Sequence, residues 1–383
     1  MYHVKLLNKI SKAGLADLED GFVICDDTPD AIIVRSADML GYAFEPSLLA
    51  IARAGAGYNN IPVDRCTEAG ICVFNTPGAN ANAVRELAVC ALLLASRRIV
   101  EGVNWCGTLA GDPDAAAKVE KGKSQFAGPE IAGKTLGILG LGKIGVLVAN
   151  ATVDLGMEVY GYDPYLSVDS AWGLARRVKR AKSYEEIYKN CDYISIHVPL
   201  NPETKHMINA DTIAQMKPGV RVLNLARGGL VNNADMKAAL ASGQVARYVT
   251  DFPDEEVIGV ENIITLPHLG ASTPESEENC AVMASQQIAA YLRDGTIRNS
   301  VNLPTFEAPI AGVARIAIIH KNTPNMLGQI TSAVAGDGVN IAHLFNRARG
   351  EYAYTVIDTD TKVTEACVAH LKTIAGVIRV RVI

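Results

Sequence analysis

The chain has 383 residues, of which 49% are hydrophobic and 20% are charged, and its formal net charge is −5. This length exceeds what one small core needs, so we expect two or three domains. The modest charge, without a block of Lys or Arg, argues against nucleic acid or an anionic membrane as the main partner and favours a small-molecule substrate.

The eight cysteines are scattered, without a C-x-x-C pair or a zinc-like cluster. We therefore expect reduced thiols, no metal site and a cytoplasmic location. The N-terminus shows no basic stretch followed by a long apolar core, so we expect no secretory signal. The longest apolar run of the first half, residues 87–95, is far shorter than the roughly 20 residues of a membrane span.

Short β-branched runs alternate with helical patterns along most of the chain, as in "AIIVRS", "TLGILGLG" and "CDYISIHVP". Apolar strands separated by crossover-length segments predict parallel sheets covered by helices on both faces. There are too many strands for one compact sheet. The fold class that this order predicts is α/β, with two Rossmann-like, doubly wound domains.

Two helical patterns are long enough to link these domains. One covers residues 82–102 and the other residues 274–293. The second helix would return the chain to the first domain. We therefore predict a discontinuous first domain, residues 1–97 and 286–306, and a second domain formed by residues 98–285.

The segment "TLGILGLGKIG" places Gly140, Gly142 and Gly145 at a predicted strand-to-helix junction. In this spacing the first glycine permits a tight turn, the second lets the backbone approach a pyrophosphate, and the third lets helix pack on strand. The next strand ends in Asp163, whose carboxylate can accept hydrogen bonds from ribose hydroxyls and would repel a 2′-phosphate. The sequence therefore predicts a site for NAD in preference to NADP.

Three further polar side chains follow predicted strands of the same domain: His197, Arg227 and His268. Open α/β sheets bind ligands at the carboxyl ends of their strands. A near-neutral imidazole can exchange a hydroxyl proton, and a guanidinium can hold a carboxylate through two parallel hydrogen bonds. Arg227 and His268 are thus candidate catalytic residues, whereas packing and strand capping explain His197 equally well.

Beyond a segment rich in Pro and Gly, residues 302–312, the pattern changes. The order β-α-β-β-α-β over residues 312–383 predicts a small ferredoxin-like domain. We expect this domain to be self-contained and to lie outside the two-domain core.

Several ordered segments over residues 30–300 resemble the D-isomer-specific 2-hydroxyacid dehydrogenase family: "NTPGANANAVRELAV", "GILGLGKIG", Asp163-Pro164, "HVPLNPETKHMIN", "NLARGGLVN" and "LPHLGAST". The resemblance implies that Arg227 holds the substrate carboxylate and carbonyl oxygen and that His268 exchanges the hydroxyl proton. It also implies cofactor contacts at Gly140, Gly142, Lys143, Ile144, Gly145, Asp163, Pro164, His197, Pro199, Thr204, Leu225, Ala226, Asp251 and Gly270.

In the family that the chain resembles, a glutamate orients the catalytic histidine and lies five residues after an aspartate that ends a strand. Asp251 matches the aspartate, and Glu256 then matches the glutamate. The segment "DFPDEEV" departs from the family pattern, however, and a gap placed differently would select Glu255 or Asp254. The identity of the acidic partner stays open at this point.

The segments "VRSADML" and "ARAGAGYNNIPVD" resemble the substrate-side motifs of the same family. The resemblance implies substrate contacts at Arg35, Ser36, Arg53, Gly55 and Gly57. Backbone amides at a Gly-x-Gly turn can hold a carboxylate, and arginines before such a turn can bind a phosphate. Surface salt bridges are the alternative explanation for either arginine.

The segment "IIHKNTPNMLGQITSAVAGDGVNIAHLF" resembles the ACT domain of family members that oxidise D-3-phosphoglycerate. The resemblance implies that His320, Asn322 and Asn340 bind an amino-acid effector. Asn325 stands where glycine is usual, which weakens the expectation of tight binding. The alternative is that the tail only assembles subunits through its sheet edges.

These resemblances imply NAD-dependent oxidation of D-3-phosphoglycerate to 3-phosphooxypyruvate, the first step of L-serine biosynthesis. We expect a homo-oligomer, dimer or tetramer, with L-serine as a feedback effector. One alternative is an NADH-dependent reductase of glyoxylate or hydroxypyruvate. Another, of a different class, is a non-catalytic protein that senses NAD.

Overall fold

The computed structural model describes residues 1–383, which form two compact units. Met1–Ala79 and Pro274–Ile383 form the first unit, and Asn80–Thr273 form the second. A discontinuous first unit was predicted, but the breaks lie earlier than the predicted 97/98 and 285/286. Each linking helix packs along its whole length within one unit, so the chain divides where the helices begin.

The first unit opens with a five-stranded parallel sheet in the order β2-β1-β3-β4-β5. The central strands β3 and β4 are almost entirely buried, as their apolar sequences predict. Their carboxyl ends carry Arg35 and Arg53. The elements are β1 (Tyr2–Leu6), β2 (Phe22–Ile24), β3 (Ala31–Val34), β4 (Ala50–Arg53), α1 (Val63–Glu68) and β5 (Cys72–Phe74).

The second unit contains a seven-stranded sheet in the order β12-β11-β10-β9-β6-β7-β8, and every pair in it is parallel. The chain moves outward from β6 in both directions, so the sheet has its switch point between β6 and β9. The elements are α2 (Ala81–Ser96), α3 (Ile99–Gly107), α4 (Ala115–Gly122), β6 (Thr135–Leu139), α5 (Lys143–Asp154), β7 (Glu158–Tyr162), α6 (Val168–Trp172), β8 (Lys179–Arg180), α7 (Tyr184–Asn190), β9 (Tyr193–Ile196), α8 (Ala210–Ile213), β10 (Val220–Asn224), α9 (Asn233–Ser242), β11 (Val245–Thr250) and β12 (Ile263–Thr265).

The single helix predicted over residues 82–102 is two helices, α2 and α3. The chain leaves the helix at Arg97, whose backbone is extended, with φ −118° and ψ 144°. The buried hydroxyl of Ser96 bonds both the Leu92 carbonyl and the Tyr193 hydroxyl, each at 2.8 Å. These two bonds fix the end of α2 against the sheet, which periodicity alone could not indicate.

The remaining elements belong to the first unit: α10 (Pro274–Asp294), β13 (Ala314–Lys321), α11 (Met326–Gly336), β14 (Ile341–Arg349), β15 (Tyr352–Thr359), α12 (Glu365–Thr373) and β16 (Val377–Val382). The last six confirm the predicted order β-α-β-β-α-β. Their four strands form an antiparallel sheet in the order β14-β15-β13-β16.

None of the helices combines the length and the hydrophobicity that a membrane-spanning segment needs.

The C-terminal sheet is not self-contained, which corrects the expectation for residues 312–383. One face of β13, with Ile316 and Ile318, packs on α11 and α12 in a core of its own. On the other face, Ala317 and Ile319 join the core that contains Phe74 and other residues of the first sheet and α10. Because β13 is apolar on both faces, both faces are covered.

Arginines of the C-terminal sheet bind carbonyl groups elsewhere in the first unit. Arg379 donates to the Leu48 and Ala69 carbonyls at 2.7 and 2.9 Å. Arg381 donates to the carbonyls of residues 291 and 292, near the end of α10, at 3.2 and 3.0 Å. Because these carbonyls lie at the ends of helices or beside strands, the arginines satisfy acceptors that lack a partner within their own element.

Candidate active site

The glycine loop lies between β6 and α5, as predicted. Gly140 has φ +94°, and a Cβ there would lie 2.8 Å from the His197 carbonyl oxygen. At Gly145 a Cβ would lie 2.0 Å from the Gly140 carbonyl oxygen, so the loop tolerates no side chain at this position. Gly142 is the N-cap residue just before α5 and has no heavy atom within 4 Å of its Cβ position. The loop therefore packs closely against protein atoms at Gly140 and Gly145 and has free space beside Gly142.

The open side of this loop fits a dinucleotide. Lys143, Ile144 and Gly145 form the first turn of α5, whose N–H groups lack intrahelical acceptors and favour an anion. Asp163 directly follows β7, and its carboxylate accepts the Leu141 N–H at 2.8 Å. Its second oxygen accepts the Tyr165 N–H at 2.8 Å, beyond the exposed Pro164. Asp163 thus braces the loop and keeps lone pairs for ribose hydroxyls.

His197 lies at the switch point of the sheet, where its N–H donates to the Leu139 carbonyl at 2.7 Å. Its Nε2 lies 2.8 Å from the hydroxyl of Ser195. Burial lowers the pKa of His197 to about 4, so the ring is neutral at physiological pH. Pro199 is exposed nearby, and Thr204 donates to the Pro199 carbonyl at 2.6 Å, which closes the loop between them.

Arg227 follows β10, and its position is fixed by Asn224, which is fully buried. The Asn224 amide nitrogen donates to the Arg227 carbonyl at 2.8 Å, and its oxygen accepts the N–H groups of Ala226 and Arg227 at 3.2 and 3.3 Å. Leu225 points into the core. One Arg227 guanidinium nitrogen donates to the Ala226 carbonyl at 2.7 Å in an exposed position, with further donors available for an anion.

His268 follows β12 and is exposed, with the left-handed φ of +55°. The next two residues are held by Asp251, which follows β11 and is only 1% exposed. The Asp251 carboxylate accepts the Leu269 and Gly270 N–H groups, both at 2.7 Å. Asp251 therefore anchors the turn that presents the imidazole, a structural role that the sequence did not indicate.

The His268 ring contacts the Phe252 ring in a tilted arrangement, with the ring centroids 4.7 Å apart. No hydrogen bond or ion pair joins His268 to a glutamate. Asp254 is otherwise engaged, since its oxygens accept the Glu256 N–H at 3.0 Å and the Asn233 amide at 2.9 Å. Glu255 and Glu256 are both exposed.

In the first unit, Arg35 directly follows β3, and Arg53 is the last residue of the adjacent strand β4. Arg53 Nε donates to the Arg35 carbonyl at 3.1 Å. The side chain of Asn8 accepts the backbone N–H groups of Arg35 and Ser36 at 2.8 and 3.2 Å. Gly55 is buried and Gly57 half-buried in the turn after β4. The structure thus brings the two predicted arginine segments together.

The three predicted effector residues differ in burial and in their hydrogen-bond partners. His320 is only 1% exposed; one ring nitrogen lies 2.8 Å from the Lys321 carbonyl and the other 2.7 Å from the Thr355 hydroxyl. Asn322 donates to the Gly350 carbonyl at 3.2 Å, and the exposed Asn340 amide bonds the Asp360 carboxylate. Asn325 has φ +64°, a left-handed backbone that asparagine tolerates, which explains why it can replace glycine.

Sequence reasoning missed the residues that support the site: Asn8, Ser195, Asn224 and Phe252. Asn224 could have been found, because an asparagine at a strand end commonly bonds the backbone of the following turn. Asn8 bonds residues almost 30 positions along the chain, so no local pattern identifies it. No group of three or more His, Cys, Asp or Glu side chains is arranged to hold a metal ion.

Comparison with known proteins agrees with this geometry. The family described as D-isomer specific 2-hydroxyacid dehydrogenase, NAD binding domain, matches residues 90–270. A D-3-phosphoglycerate dehydrogenase of Escherichia coli is 31% identical over 100% of this chain and 95% of its own length. Another protein of that name, from Methanocaldococcus jannaschii, is 32% identical over 89% of this chain, which spans only 61% of that relative.

Among solved structures, a glyoxylate reductase from Paecilomyes thermophila matches with a TM-score of 0.62 and 26% identity, covering 78% of this chain and 98% of that one. The parallel sheets, the glycine loop and the strand-end Arg and His define an NAD-dependent dehydrogenase of small molecules. The chain belongs to the D-isomer specific 2-hydroxyacid dehydrogenase family.

Proposed function

We propose that the protein oxidises D-3-phosphoglycerate to 3-phosphooxypyruvate with NAD. The observation that carries this proposal is the set of groups at the carboxyl ends of three neighbouring strands. Arg227 follows β10, Asp251 follows β11 and His268 follows β12, while the glycine loop follows β6 of the same sheet. The relatives named D-3-phosphoglycerate dehydrogenase, such as the Escherichia coli protein, support the choice of substrate.

Each of these side chains has a defined task in the proposed reaction. Bound NAD supplies the acceptor for the hydride that leaves C2 of the substrate. His268 takes the proton from the hydroxyl on C2 as the carbonyl forms, and its exposed ring leaves room for that contact. Arg227 stays charged throughout and holds the carboxylate and the developing carbonyl oxygen. Asp251 positions the turn after His268 and, in our proposal, also borders the nicotinamide.

A glutamate completes the proton-transfer pair. Glu256 remains our first choice on spacing, with Glu255 as the alternative. The engagement of Asp254 with Asn233 and the Glu256 N–H supports leaving Asp254 out. Either glutamate would orient the imidazole of His268 for the proton transfer.

The arginines of the first unit would bind the phosphate of the substrate. Their support is the hydrogen bond from Arg53 Nε to the Arg35 carbonyl, which holds the Arg53 side chain against the Arg35 segment. In this proposal the turn amides near Gly55 and Gly57, and the Ser36 hydroxyl, complete the substrate contacts.

The C-terminal domain would sense L-serine as an ACT domain. The exposed Asn340 and Asn322 amides offer groups for an amino acid, while His320 would act from within the sheet because both its ring nitrogens already have partners. Assembly into a dimer or tetramer and a cytoplasmic location belong to the same proposal.

The direct test is NADH formation by the purified protein with NAD and D-3-phosphoglycerate. We expect NADH to form at a rate that depends on the substrate concentration. No NADH, together with rapid reduction of glyoxylate or hydroxypyruvate, would favour the second candidate, a keto-acid reductase. The structural similarity to a glyoxylate reductase is the observation that supports this second candidate.

A variant separates both enzymes from a non-catalytic NAD-binding protein. His268→Ala should lower kcat by about 10²–10⁴-fold, the usual contribution of a general base, while NAD affinity stays close to that of the wild type. A wild-type protein that binds NAD but turns over no 2-hydroxy or 2-keto acid would support the non-catalytic alternative.

A further inference from the structure

Arg35 already has an anionic partner within its own unit. Its Nη2 lies 2.6 Å from Oε1 of Glu277, in the first turn of α10. The two side chains are 40% and 44% exposed, so solvent and ligands reach both. None of the sequence motifs pointed to Glu277.

Hydrogen bonds hold the backbone beside this ion pair. The Asn8 side chain holds the Arg35 backbone N–H at 2.8 Å, and Arg53 Nε binds the Arg35 carbonyl at 3.1 Å. A Cβ at Gly55 would lie 1.5 Å from Arg53 Nη1, so the Arg53 guanidinium passes directly across this glycine. The Arg35 and Arg53 segments are thus held together, and the exposed Glu277 carboxylate pairs with Arg35 from the first turn of α10.

We propose that Glu277 is a specificity residue that occupies Arg35 until a phosphate displaces it. This inference rests on the proposed function and extends it. A phosphate carries nearly two negative charges at neutral pH and three acceptor oxygens, so it competes well for a guanidinium against a single carboxylate. A 2-hydroxy acid without a phosphate leaves the Arg35–Glu277 pair intact. Glu277 therefore lowers the affinity for phosphorylated substrates specifically.

The size of the effect follows from the exposure of the pair. Exposed ion pairs are weak, and removing the competing carboxylate should improve phosphate binding by about two- to fivefold. Because the charges are near the surface, the difference should shrink as the ionic strength rises.

The test compares Glu277→Gln with Glu278→Gln. Glu278 is the next residue on α10, is also exposed and has no ion pair, so its variant reproduces the change in net charge alone. We expect E277Q to lower KM for D-3-phosphoglycerate about two- to fivefold. In E277Q, kcat/KM for D-3-phosphoglycerate divided by kcat/KM for D-glycerate should also rise. E278Q should leave KM and this ratio of kcat/KM values at the wild-type values.

Equilibrium binding separates this inference from the proposed reaction. Calorimetry with inorganic phosphate and with D-3-phosphoglycerate needs no turnover, and E277Q should bind both more tightly than wild type and E278Q do. If wild type fails to oxidise D-3-phosphoglycerate while E277Q still binds phosphate more tightly, only the proposed reaction is lost. Equal or weaker phosphate binding by E277Q overturns the role of Glu277, and weaker binding would show that it orients Arg35 instead.

Discussion

Asp251 shows how a residue can matter to the site without reaching the substrate. Both its carboxylate oxygens bind the backbone after His268, and only 1% of the residue is exposed. The strand ends in the sequence indicated that Arg227 and His268 belong together, and the family resemblance added Asp251. The sequence could not indicate which oxygen binds which amide, since that depends on the turn between β12 and α10.

The identity of the acidic partner can be decided at the residue scale. We expect Glu256→Gln to lower kcat/KM by about 10²-fold or more, with Glu255→Gln as the matched control. The same loss in E255Q, with a normal E256Q, would assign the role to Glu255.

His197 gives a pH dependence of stability. Burial lowers its pKa from 6.5 to about 4 in the folded chain, so the unfolded chain binds more protons between these values. The stability contribution is complete above about pH 6.5 and is lost as the pH falls, by up to about 3 kcal/mol. His197→Asn should therefore show a smaller drop in the free energy of unfolding between neutral pH and pH 4 than wild type. Equal drops in the free energy of unfolding for the variant and the wild type, measured by chemical denaturation at each pH, would contradict this role of His197.

At the scale of elements, two glycines at the junction of β6 and α5 allow the effect of packing on stability to be measured separately from the effect on cofactor binding. Gly145→Ala places a Cβ against the Gly140 carbonyl, so we expect a loss of about 1–3 kcal/mol in stability and weaker NAD binding. Gly142→Ala extends into open space and should weaken NAD binding while leaving the melting temperature nearly unchanged. Thermal unfolding without cofactor and NAD titration measure the two effects, and equal melting temperatures would contradict the packing argument.

The glycine loop and the strands were predictable because their patterns are local. The break between α2 and α3 was not, because it depends on a bond from Ser96 to Tyr193, almost a hundred residues away. The sequence predicted only part of how the C-terminal sheet is covered. Apolar residues on both faces of β13 indicate two partners, but nothing in the strand says that α10 is one of them.

The attachment of the C-terminal sheet can be tested through Arg315. This side chain is fully buried, pairs with Asp358 and also binds the carbonyls of Asp294, Ala308 and Pro309. Arg315→Met leaves the Asp358 carboxylate buried without its partner, and we expect a loss of about 3–5 kcal/mol.

The exposed pair of Arg298 with Glu307 supplies the control for this substitution. Arg298→Met should cost less than about 1 kcal/mol. Urea denaturation measures both variants. Similar small losses in both would contradict the view that the C-terminal sheet is an integral part of the first unit.

At the scale of the whole molecule, the general organisation followed from the sequence, whereas its boundaries did not. Two α/β units and a C-terminal β-α-β-β-α-β segment were predicted from the strand spacing. The C-terminal segment nevertheless shares the hydrophobic core of the first unit. Any effector that binds this segment acts on a sheet attached to α10, the helix that also carries Glu277.

The proposed reaction transfers the hydrogen on C2 of D-3-phosphoglycerate to NAD. The most direct measurement uses D-3-phosphoglycerate with deuterium on C2 and follows the label by mass spectrometry. The account predicts one deuterium in each NADH formed and none in the 3-phosphooxypyruvate. NADH without deuterium, or no NADH from an NAD-binding preparation, would contradict it.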